Sequence, residues 1–164
     1  MRQMVNIHKI LDENFSAIWP DWLMLMIART RKLNEVFGNP SDAIIVQVVC
    51  WHHLLVTTIE TDTQTDTFEK AFQAWHDGLS EDNTEARDKR LTITAISLST
   101  ALPFETVRRR VKKLCETGWL RIGDDGGVHY APTPEHNQKI VGDIHGEERK
   151  LLRPFLTKFS KLVP

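Results

Sequence analysis

The chain has 164 residues, of which 41% are hydrophobic and 26% are charged. These are the proportions of a globular protein with one domain, or with a small domain and a helical extension. Two cysteines are too few for a disulfide framework and fit a reducing compartment. No apolar run has the length of a membrane span, and the N-terminus lacks the pattern of a signal peptide. We therefore expect a cytoplasmic protein without a membrane anchor.

The net charge of −1 conceals an uneven distribution. Residues 1–86 carry 6 Lys and Arg against 13 Asp and Glu, giving −7. Residues 87–121 carry 9 against 3, giving +6, and residues 122–164 carry 6 against 6. A basic segment beside an acidic block indicates a surface that faces a polyanion. A basic face that is merely solvated is the alternative at this point.

Helical spacing of apolar residues predicts that most of residues 1–86 are helical. The expected helices are 4–18, 21–37, 43–57 and 68–79. Pro20 ends the first helix or opens the second, and Ser41 or Asp42 caps the third. The third helix is apolar on most sides, so it must be buried between other helices or in a dimer interface. The acidic stretch 80–88 is the expected linker, which makes residues 1–86 a helical region for dimerisation or sensing.

The pattern changes after Leu91. Thr92 or Thr94 can cap a short helix that runs to Thr100, and a four-residue turn leads into a second helix that ends near Thr117. Gly118 stands where a C-terminal helix cap belongs. Two alternating segments, 119–123 and 127–131, then flank Asp-Asp-Gly, which predicts a β-hairpin. This order of elements is that of a winged helix-turn-helix, which we assign to residues 87–132.

Residues 100–120 read TALPFETVRRRVKKLCETGWL, and this segment resembles the winged helix-turn-helix of bacterial transcription regulators of the catabolite-activator, GntR and MarR types. In those groups the recognition helix follows roughly G-L-S-R-E-T-V-x-R-x-(L/V)-x-x-L-x-x-x-G-(L/W)-(L/I). The resemblance covers about residues 91–131 and implies a DNA-binding domain with recognition helix 104–117. It implies no cyclic-nucleotide sensor and does not extend to the first 86 residues. The residues that carry it are Leu102, Glu105, Thr106, Val107, Arg109, Val111, Leu114, Gly118, Trp119 and Leu120.

The second helix of the motif has two distinct faces. Val107, Val111 and Leu114 repeat at i, i+4 and i+7 and should form a buried stripe. On the opposite face, Arg can donate two hydrogen bonds to guanine and Glu can accept one from cytosine. The candidate DNA contacts on that face are Glu105, Thr106, Arg108, Arg109 and Lys112. The candidates for backbone phosphates, to the sides, are Arg110, Lys113 and Arg121.

Three residues depart from the family pattern. Ala101 replaces the usual Gly and costs about 1 kcal/mol if that position needs a positive φ. Ser97 replaces a small apolar residue, so its hydroxyl should bond to the backbone. Phe104 replaces a frequent Arg and either packs beside a thymine methyl or covers the core.

The hairpin tip is also unusual, because Asp124 and Asp125 would repel phosphates. We expect the tip to stay off the duplex. Arg121 and His129, on the hairpin stem, are the expected contacts instead.

The remaining motifs carry no chemistry of their own. Cys50-Trp51-His52-His53 invites a metal site, but no second cluster supplies further ligands, and packing is the favoured interpretation. No catalytic constellation or cofactor motif occurs, so we expect neither an enzyme nor a cofactor. After the hairpin, Pro134 is expected at the first position of a helix. An apolar stripe in residues 148–162 predicts a terminal helix that Pro154 kinks or divides.

The sequence therefore predicts a mainly α protein with a small β-hairpin wing, in which helical N-terminal and C-terminal regions (1–86 and 133–164) mediate dimerisation. The expected function is sequence-specific binding of double-stranded DNA by a homodimeric transcription regulator, with a small-molecule effector possible and no membrane partner. The alternative is a winged helix that contacts protein within a larger DNA-processing complex. The expected dimer surfaces are Leu23–Ile27, Ile44–Leu55 and Leu151–Leu162.

Overall fold

A computed structural model describes residues 7–60 and 90–162, with the side chains of 55–60 left out. The predicted helix 68–79 and linker 80–88 lie outside these residues. The chain divides into two compact units. The first combines Met1–Val36 with Asn137–Pro164, and the second is Phe37–His136. This division differs from the predicted boundary at residue 86, because the helix that follows Pro40 packs within the second unit.

The first unit is built on α1, Ile7–Phe37, a single helix with a kink. We expected the break at Pro20, but the helix continues through Pro20 and departs from helical geometry at Asn14 (φ −122°, ψ 17°). The Asn14 side-chain amide donates a hydrogen bond to the Ile10 carbonyl oxygen at 2.9 Å. Asn side chains compete in this way for backbone groups and bend helices.

The C-terminal helices of the chain follow one another directly: α5, Pro134–Lys139, a π-helical segment Ile140–His145, and α6, Gly146–Ser160. Pro134 takes the first helical position, as predicted. Pro154 lies inside α6 and does not end it.

Three contacts join α6 to α1 in the first unit. Arg29 Nε lies 2.6 Å from Glu148 Oε1, and Lys158 Nζ lies 2.6 Å from Asp21 Oδ2. The rings of Trp22 and Phe155 pack at a centroid distance of 5.8 Å. The buried apolar residues of this unit are Ile10, Ile18, Leu25, Leu33, Ile140 and Ile144.

Glu148 should make the first unit sensitive to acid. Burial raises the pKa of its carboxyl, but hydrogen bonds from His145 (3.0 Å) and Arg29 and the Arg29 charge outweigh burial, so the pKa is lowered overall. A lowered folded-state pKa stabilises the fold above the ordinary Glu pKa of about 4.3, and this contribution is lost as the pH falls through the folded value. We expect Glu148→Gln to lower the free energy of unfolding by about 2 kcal/mol at pH 7. The loss of stability between pH 7 and pH 4 should be smaller in this variant than in the parent chain. Urea unfolding at the two pH values measures both effects.

Glu147→Gln is the matched control for this experiment, because Glu147 forms an exposed pair with Lys150 on the same helix. Exposed ion pairs contribute little to stability, so this variant should unfold like the parent chain. Equal effects of the two substitutions would contradict the role given to Glu148.

The second unit is organised around α2, Pro40–Glu60. The cap of α2 is Asn39, because its Oδ1 accepts hydrogen bonds from the backbone N–H groups of Ser41 (2.9 Å) and Asp42 (3.3 Å). Our expectation of Ser41 or Asp42 as the cap is therefore wrong by two or three residues. α2 packs against two helices, α3 (Ile93–Thr100) and α4 (Phe104–Glu116), and against the hairpin. Its buried apolar residues are Ala43, Ile45, Val46 and Val49.

The hairpin follows α4 and consists of β1, Leu120–Ile122, and β2, Val128–Tyr130. The strands are antiparallel, with Leu120 opposite Tyr130 and Ile122 opposite Val128. The backbone N–H of Val128 donates to the Leu91 carbonyl oxygen at 2.8 Å, which ties the chain before α3 to β2. The described residues are thus mainly helical with a small two-stranded sheet, as the sequence predicts. No helix among them is long and apolar enough to cross a membrane.

Candidate nucleic-acid interface

The apolar stripe of α4 is buried in the core of the second unit. Val107 and Val111 are fully buried and Leu114 nearly so, as their spacing predicts. Ile96 of α3 and Ile45 of α2 are also inaccessible to solvent and complete the same core. Because this stripe sets the rotation of α4 about its axis, the opposite face of the helix has to point to solvent.

The turn between α3 and α4 is held by its own side chains. Thr92, one of the two caps that the sequence offers, caps α3 by accepting a hydrogen bond from the Ala95 N–H at 3.1 Å. The Ser97 hydroxyl donates to the Leu102 carbonyl oxygen at 2.7 Å, so it bonds to the backbone across the turn. Ala101 adopts a left-handed conformation with φ 55°, which meets the condition under which we expected a cost of about 1 kcal/mol.

Gly118 ends α4 in the geometry of a Schellman motif. Its φ is +73°, its N–H donates to the Cys115 carbonyl oxygen at 3.1 Å, and the Trp119 N–H donates to the Leu114 carbonyl oxygen at 2.9 Å. The Gly118 carbonyl oxygen accepts from the Thr133 N–H at 2.9 Å. The end of α4, the base of the hairpin and the chain leading to α5 therefore meet at one glycine.

Trp119 packs the same junction from the side. Its ring stacks on His136 with centroids 4.0 Å apart and planes at 6°, and it contacts Phe37 at 4.6 Å. The His136 ring nitrogen Nδ1 lies 3.0 Å from the Gly118 carbonyl oxygen. These contacts hold the hairpin against the end of α4 and so define the space between them.

An open groove of about 610 Å³ runs along the outer face of α4, beside the hairpin. Arg109 and Lys112 are exposed along it, and the half-buried Thr106 lies beside them. The groove therefore combines the base-contacting residues predicted from the sequence with two apolar residues that the sequence reasoning missed. The lining residues are Ile93, Glu105, Thr106, Arg108, Arg109, Lys112 and Ile122.

Arg108 and Glu105 form an ion pair on this face. Both Arg108 Nε (2.9 Å) and Nη2 (2.7 Å) donate to Glu105 Oε2. The hydrogen bond and the negative charge of Glu105 raise the pKa of the Arg108 guanidinium, which stays charged. Arg108 therefore has a counterion one turn earlier on the same helix.

Arg110 does not belong to the outer face, which corrects its assignment as a phosphate contact. Its Nη1 lies 3.4 Å from Asp42 Oδ2, and the side chains of Arg110 and Asp42 are 23% and 4% exposed. The pair joins α4 to the start of α2. Among the described residues, Arg110 Nε and Asp42 Oδ1 are buried without a hydrogen-bond partner. Arg110 therefore serves packing within the second unit.

The other two predicted phosphate contacts, Lys113 and Arg121, are exposed and lie outside the groove lining. Lys113 is near the end of α4, and Arg121 is the central residue of β1.

The hairpin tip is ordered by its own acidic residue. Asp125 Oδ1 accepts from the Gly127 N–H at 2.9 Å, and this bond outweighs the effect of burial and lowers the pKa of Asp125. His129 Nε2 lies 3.6 Å from the same oxygen, and Arg90 Nη1 donates to the Asp125 carbonyl oxygen at 2.7 Å. His129 thus faces the tip, and Arg121 is the more exposed of these two stem residues.

The segment Cys50-Trp51-His52-His53 lies on α2. The His53 ring packs against Tyr130 of β2 at 5.8 Å, while Trp51 is exposed. Burial raises the pKa of the Tyr130 hydroxyl well above its ordinary value. Within residues 7–60 and 90–162, no three His, Cys, Asp or Glu side chains come close enough to hold a metal ion.

Comparison with protein-family models, with curated proteins and with solved structures gives no match for this chain. A functional assignment therefore has to rest on the residues and on the geometry of the groove.

Proposed function

We propose that the second unit is a winged helix-turn-helix and that the protein is a homodimeric transcription regulator that binds double-stranded DNA. The order α2, α3, α4, β1, β2 supports this, together with the hydrogen bond from Val128 to Leu91, which adds a third short segment to the hairpin. In this proposal α4 is the recognition helix and the hairpin is the wing. The groove between them is the observation that carries the proposal.

The dimensions of α4 fit the proposed role. A helix with its side chains is about 10–12 Å wide, and the major groove of B-DNA is about 12 Å wide. Arg109 and Lys112 lie along the exposed face and would point at base edges. The Nε and Nη2 groups of Arg108 already donate to Glu105, so this edge of the guanidinium would have to leave Glu105 before it could bind guanine.

Contacts outside the groove would hold the protein on the duplex. Lys113 and Arg121 would bind phosphates, which adds affinity without sequence preference. One recognition helix reads only a few base pairs, whereas a twofold dimer reads two half-sites about one helical turn apart. The homodimer is therefore part of the proposal.

A second candidate function is a protein contact within a DNA-processing complex. Leu98 of α3, which is 81% exposed, and the acidic tip of the hairpin favour it. The two functions differ in their dependence on salt. DNA binding should weaken steeply as salt is added, because cations on the protein displace counterions from phosphates.

Substitutions at Arg109 and Lys113 should have different effects on DNA binding. We expect Arg109→Ala to cost about 1–3 kcal/mol on the preferred site and to relax the preference at one base pair. Lys113→Ala should weaken binding to all sequences and lower the slope of log K against log salt by about one. Selection from a random duplex pool, followed by titration of the selected site at several salt concentrations, measures both effects.

Arg110→Met combined with Asp42→Leu is the matched control, because Arg110 is paired with Asp42 within the second unit although it lies between the two tested positions in the sequence. For this control, the slope of log K against log salt should equal that of the parent chain once binding is corrected for the folded fraction. Identical behaviour of Arg109→Ala and Lys113→Ala would contradict the assignment of faces. If binding to DNA does not change with salt concentration and no sequence is selected, the protein-contact function is supported.

A further inference from the structure

The outer face of α4 carries an ion pair within the groove, which we call the Glu105–Arg108 pair. The two residues are one helical turn apart, and their side chains are 70% and 61% exposed. Arg108 donates twice to the same carboxylate oxygen, from Nε at 2.9 Å and from Nη2 at 2.7 Å to Glu105 Oε2. The other carboxylate oxygen, Oε1, accepts no hydrogen bond from the described part of the chain. The pair thus occupies one edge of the guanidinium and leaves one acceptor open.

Arg109 and Lys112, the other cations that line the groove, are not paired. Within residues 7–60 and 90–162, neither side chain forms an ion pair or a hydrogen bond. Each can therefore bind DNA without breaking a contact in the protein, whereas Arg108 cannot bind a base through its Nε and Nη2 groups until it leaves Glu105. The charged residues of the groove lining thus consist of two unpaired cations and one neutral pair.

Contact with DNA would require Arg108 either to keep this pair or to break it. A bidentate contact with guanine discriminates against a wrong base by about 5- to 150-fold. To gain it, Arg108 would leave an uncompensated carboxylate in a groove that faces phosphates. Losing one member of a hydrogen-bonded charge pair in an interface weakens binding by about 30-fold to several thousand-fold, largely because the remaining charge has no partner. The loss is generally the larger of the two effects, so the pair should persist in the complex.

A persistent pair determines what Glu105 can recognise. Arg108 cancels the negative charge of the carboxylate, which reduces its repulsion by the phosphates. Because Oε2 is occupied, Oε1 is the oxygen available to a base. Cytosine presents the N4 amine and no acceptor of its own in the major groove, whereas adenine presents its N6 amine beside the acceptor N7. Guanine and thymine present the acceptors O6 and O4, which Oε1 would repel, so this oxygen favours cytosine.

We infer that Arg108 is a positioning residue that stays paired with Glu105 in the DNA complex, so that Oε1 of Glu105 accepts a hydrogen bond from N4 of cytosine. Guanine is then left to the unpaired Arg109. The inference rests on the proposed function, because it needs a duplex against α4. It goes beyond that function by assigning Arg108 to Glu105 rather than to a base, in contrast to the direct base contact that its place on the outer face predicts.

Titration of single and double variants against the selected duplex tests the inference. Glu105→Ala and Arg108→Ala should each reduce the preference for cytosine at the same base pair by about fivefold or more. The double variant should lose no more of this preference than Glu105→Ala does. If Arg108 instead read guanine directly, Glu105→Ala would release it, and the preference at that base pair would be kept or raised.

Lys150→Ala is the matched control, because Lys150 forms an exposed pair of the same spacing with Glu147 on α6. Exposed ion pairs contribute little to stability, so all of these variants should fold, and circular dichroism checks that they do. The control should keep both the affinity and the base preference of the parent chain to within about twofold.

A base analogue tests the same point on the unaltered chain. 7-Deazaguanine lacks the N7 acceptor that a bidentate arginine needs. It is placed opposite the cytosine that Glu105 recognises. There it should change the affinity of the parent chain by less than about twofold, because Arg108 remains on Glu105.

Three results would each overturn the inference: a Glu105→Ala variant that keeps the cytosine preference, an Arg108→Ala variant that keeps it, or a loss of about tenfold in affinity on 7-deazaguanine. Each of these leaves the proposed function standing, because selection of a duplex sequence by the parent chain is measured first. A parent chain that selects no duplex sequence would overturn the proposed function and, with it, the inference.

Discussion

Replacing Asp42 by Asn should lower the free energy of unfolding by about 3 kcal/mol. The substitution keeps the shape of the side chain but leaves the largely buried Arg110 guanidinium without a countercharge, and breaking a buried pair typically costs 3–5 kcal/mol. We take the lower end of that range because 23% of the Arg110 side chain is exposed to solvent. Urea unfolding at pH 7 measures the loss.

Two further variants separate the buried charge from other effects. Asp42→Leu combined with Arg110→Met should recover most of the stability, since apolar residues can replace a buried pair at little cost. Asp21→Asn breaks the exposed pair with Lys158 and should cost less than about 1 kcal/mol. If Asp42→Asn proves as mild as Asp21→Asn, the pair does not hold α4 on α2.

Among the described glycines of the second unit, Gly118 should be the position where an added methyl group is most damaging, and we expect Gly118→Ala to cost about 3 kcal/mol. The backbone there has φ +73°, and a Cβ atom would lie 2.6 Å from Thr133 Cγ2. Left-handed backbone costs an alanine about 1–2 kcal/mol, and overpacking adds a similar amount. Thermal or urea unfolding gives the value.

Gly126 at the hairpin tip provides a matched control. Its φ is +75°, but nothing lies within 4 Å of an added Cβ atom, so Gly126→Ala should cost about 1 kcal/mol from the backbone alone. Thr133→Ser removes the clashing methyl group and keeps the hydroxyl that accepts the His136 N–H. The double variant Gly118→Ala with Thr133→Ser should therefore lose no more than Gly126→Ala. Equal losses for the two alanine variants would show that the Thr133 contact is not tight.

The sequence is informative where a structural signal is local. The cap at Thr92, the Gly118 helix end and the hairpin around residues 124–126 depend on neighbours a few positions away, and these predictions are confirmed. The buried stripe of α4 is confirmed for the same reason, because helical periodicity is a property of one segment. The outward face of α4 follows from that stripe.

The sequence-based predictions are wrong where a residue far away in the sequence determines the position of a side chain or helix. The six cations of α4 and β1 look alike in the sequence and gave no indication that Arg110 would turn inward, because its partner Asp42 lies 68 positions away. The grouping of α2 with the second unit depends likewise on contacts with α3, α4 and β2. Strand alternation places Ile122 on the same face as the buried Leu120 and so predicts that Ile122 is buried. Ile122 is nevertheless exposed and lines the groove.

The left-handed Ala101 has a consequence for how much change the second unit tolerates. A residue that costs about 1 kcal/mol in the folded state removes that amount from the margin that separates the native state from unfolding. The turn joins α3 to α4, and the smaller margin limits how many destabilising substitutions the second unit can carry, those on the outer face of α4 included. Glycine at position 101 would restore the margin without altering the groove lining, so it should offset about 1 kcal/mol of destabilisation caused by substitutions on α4.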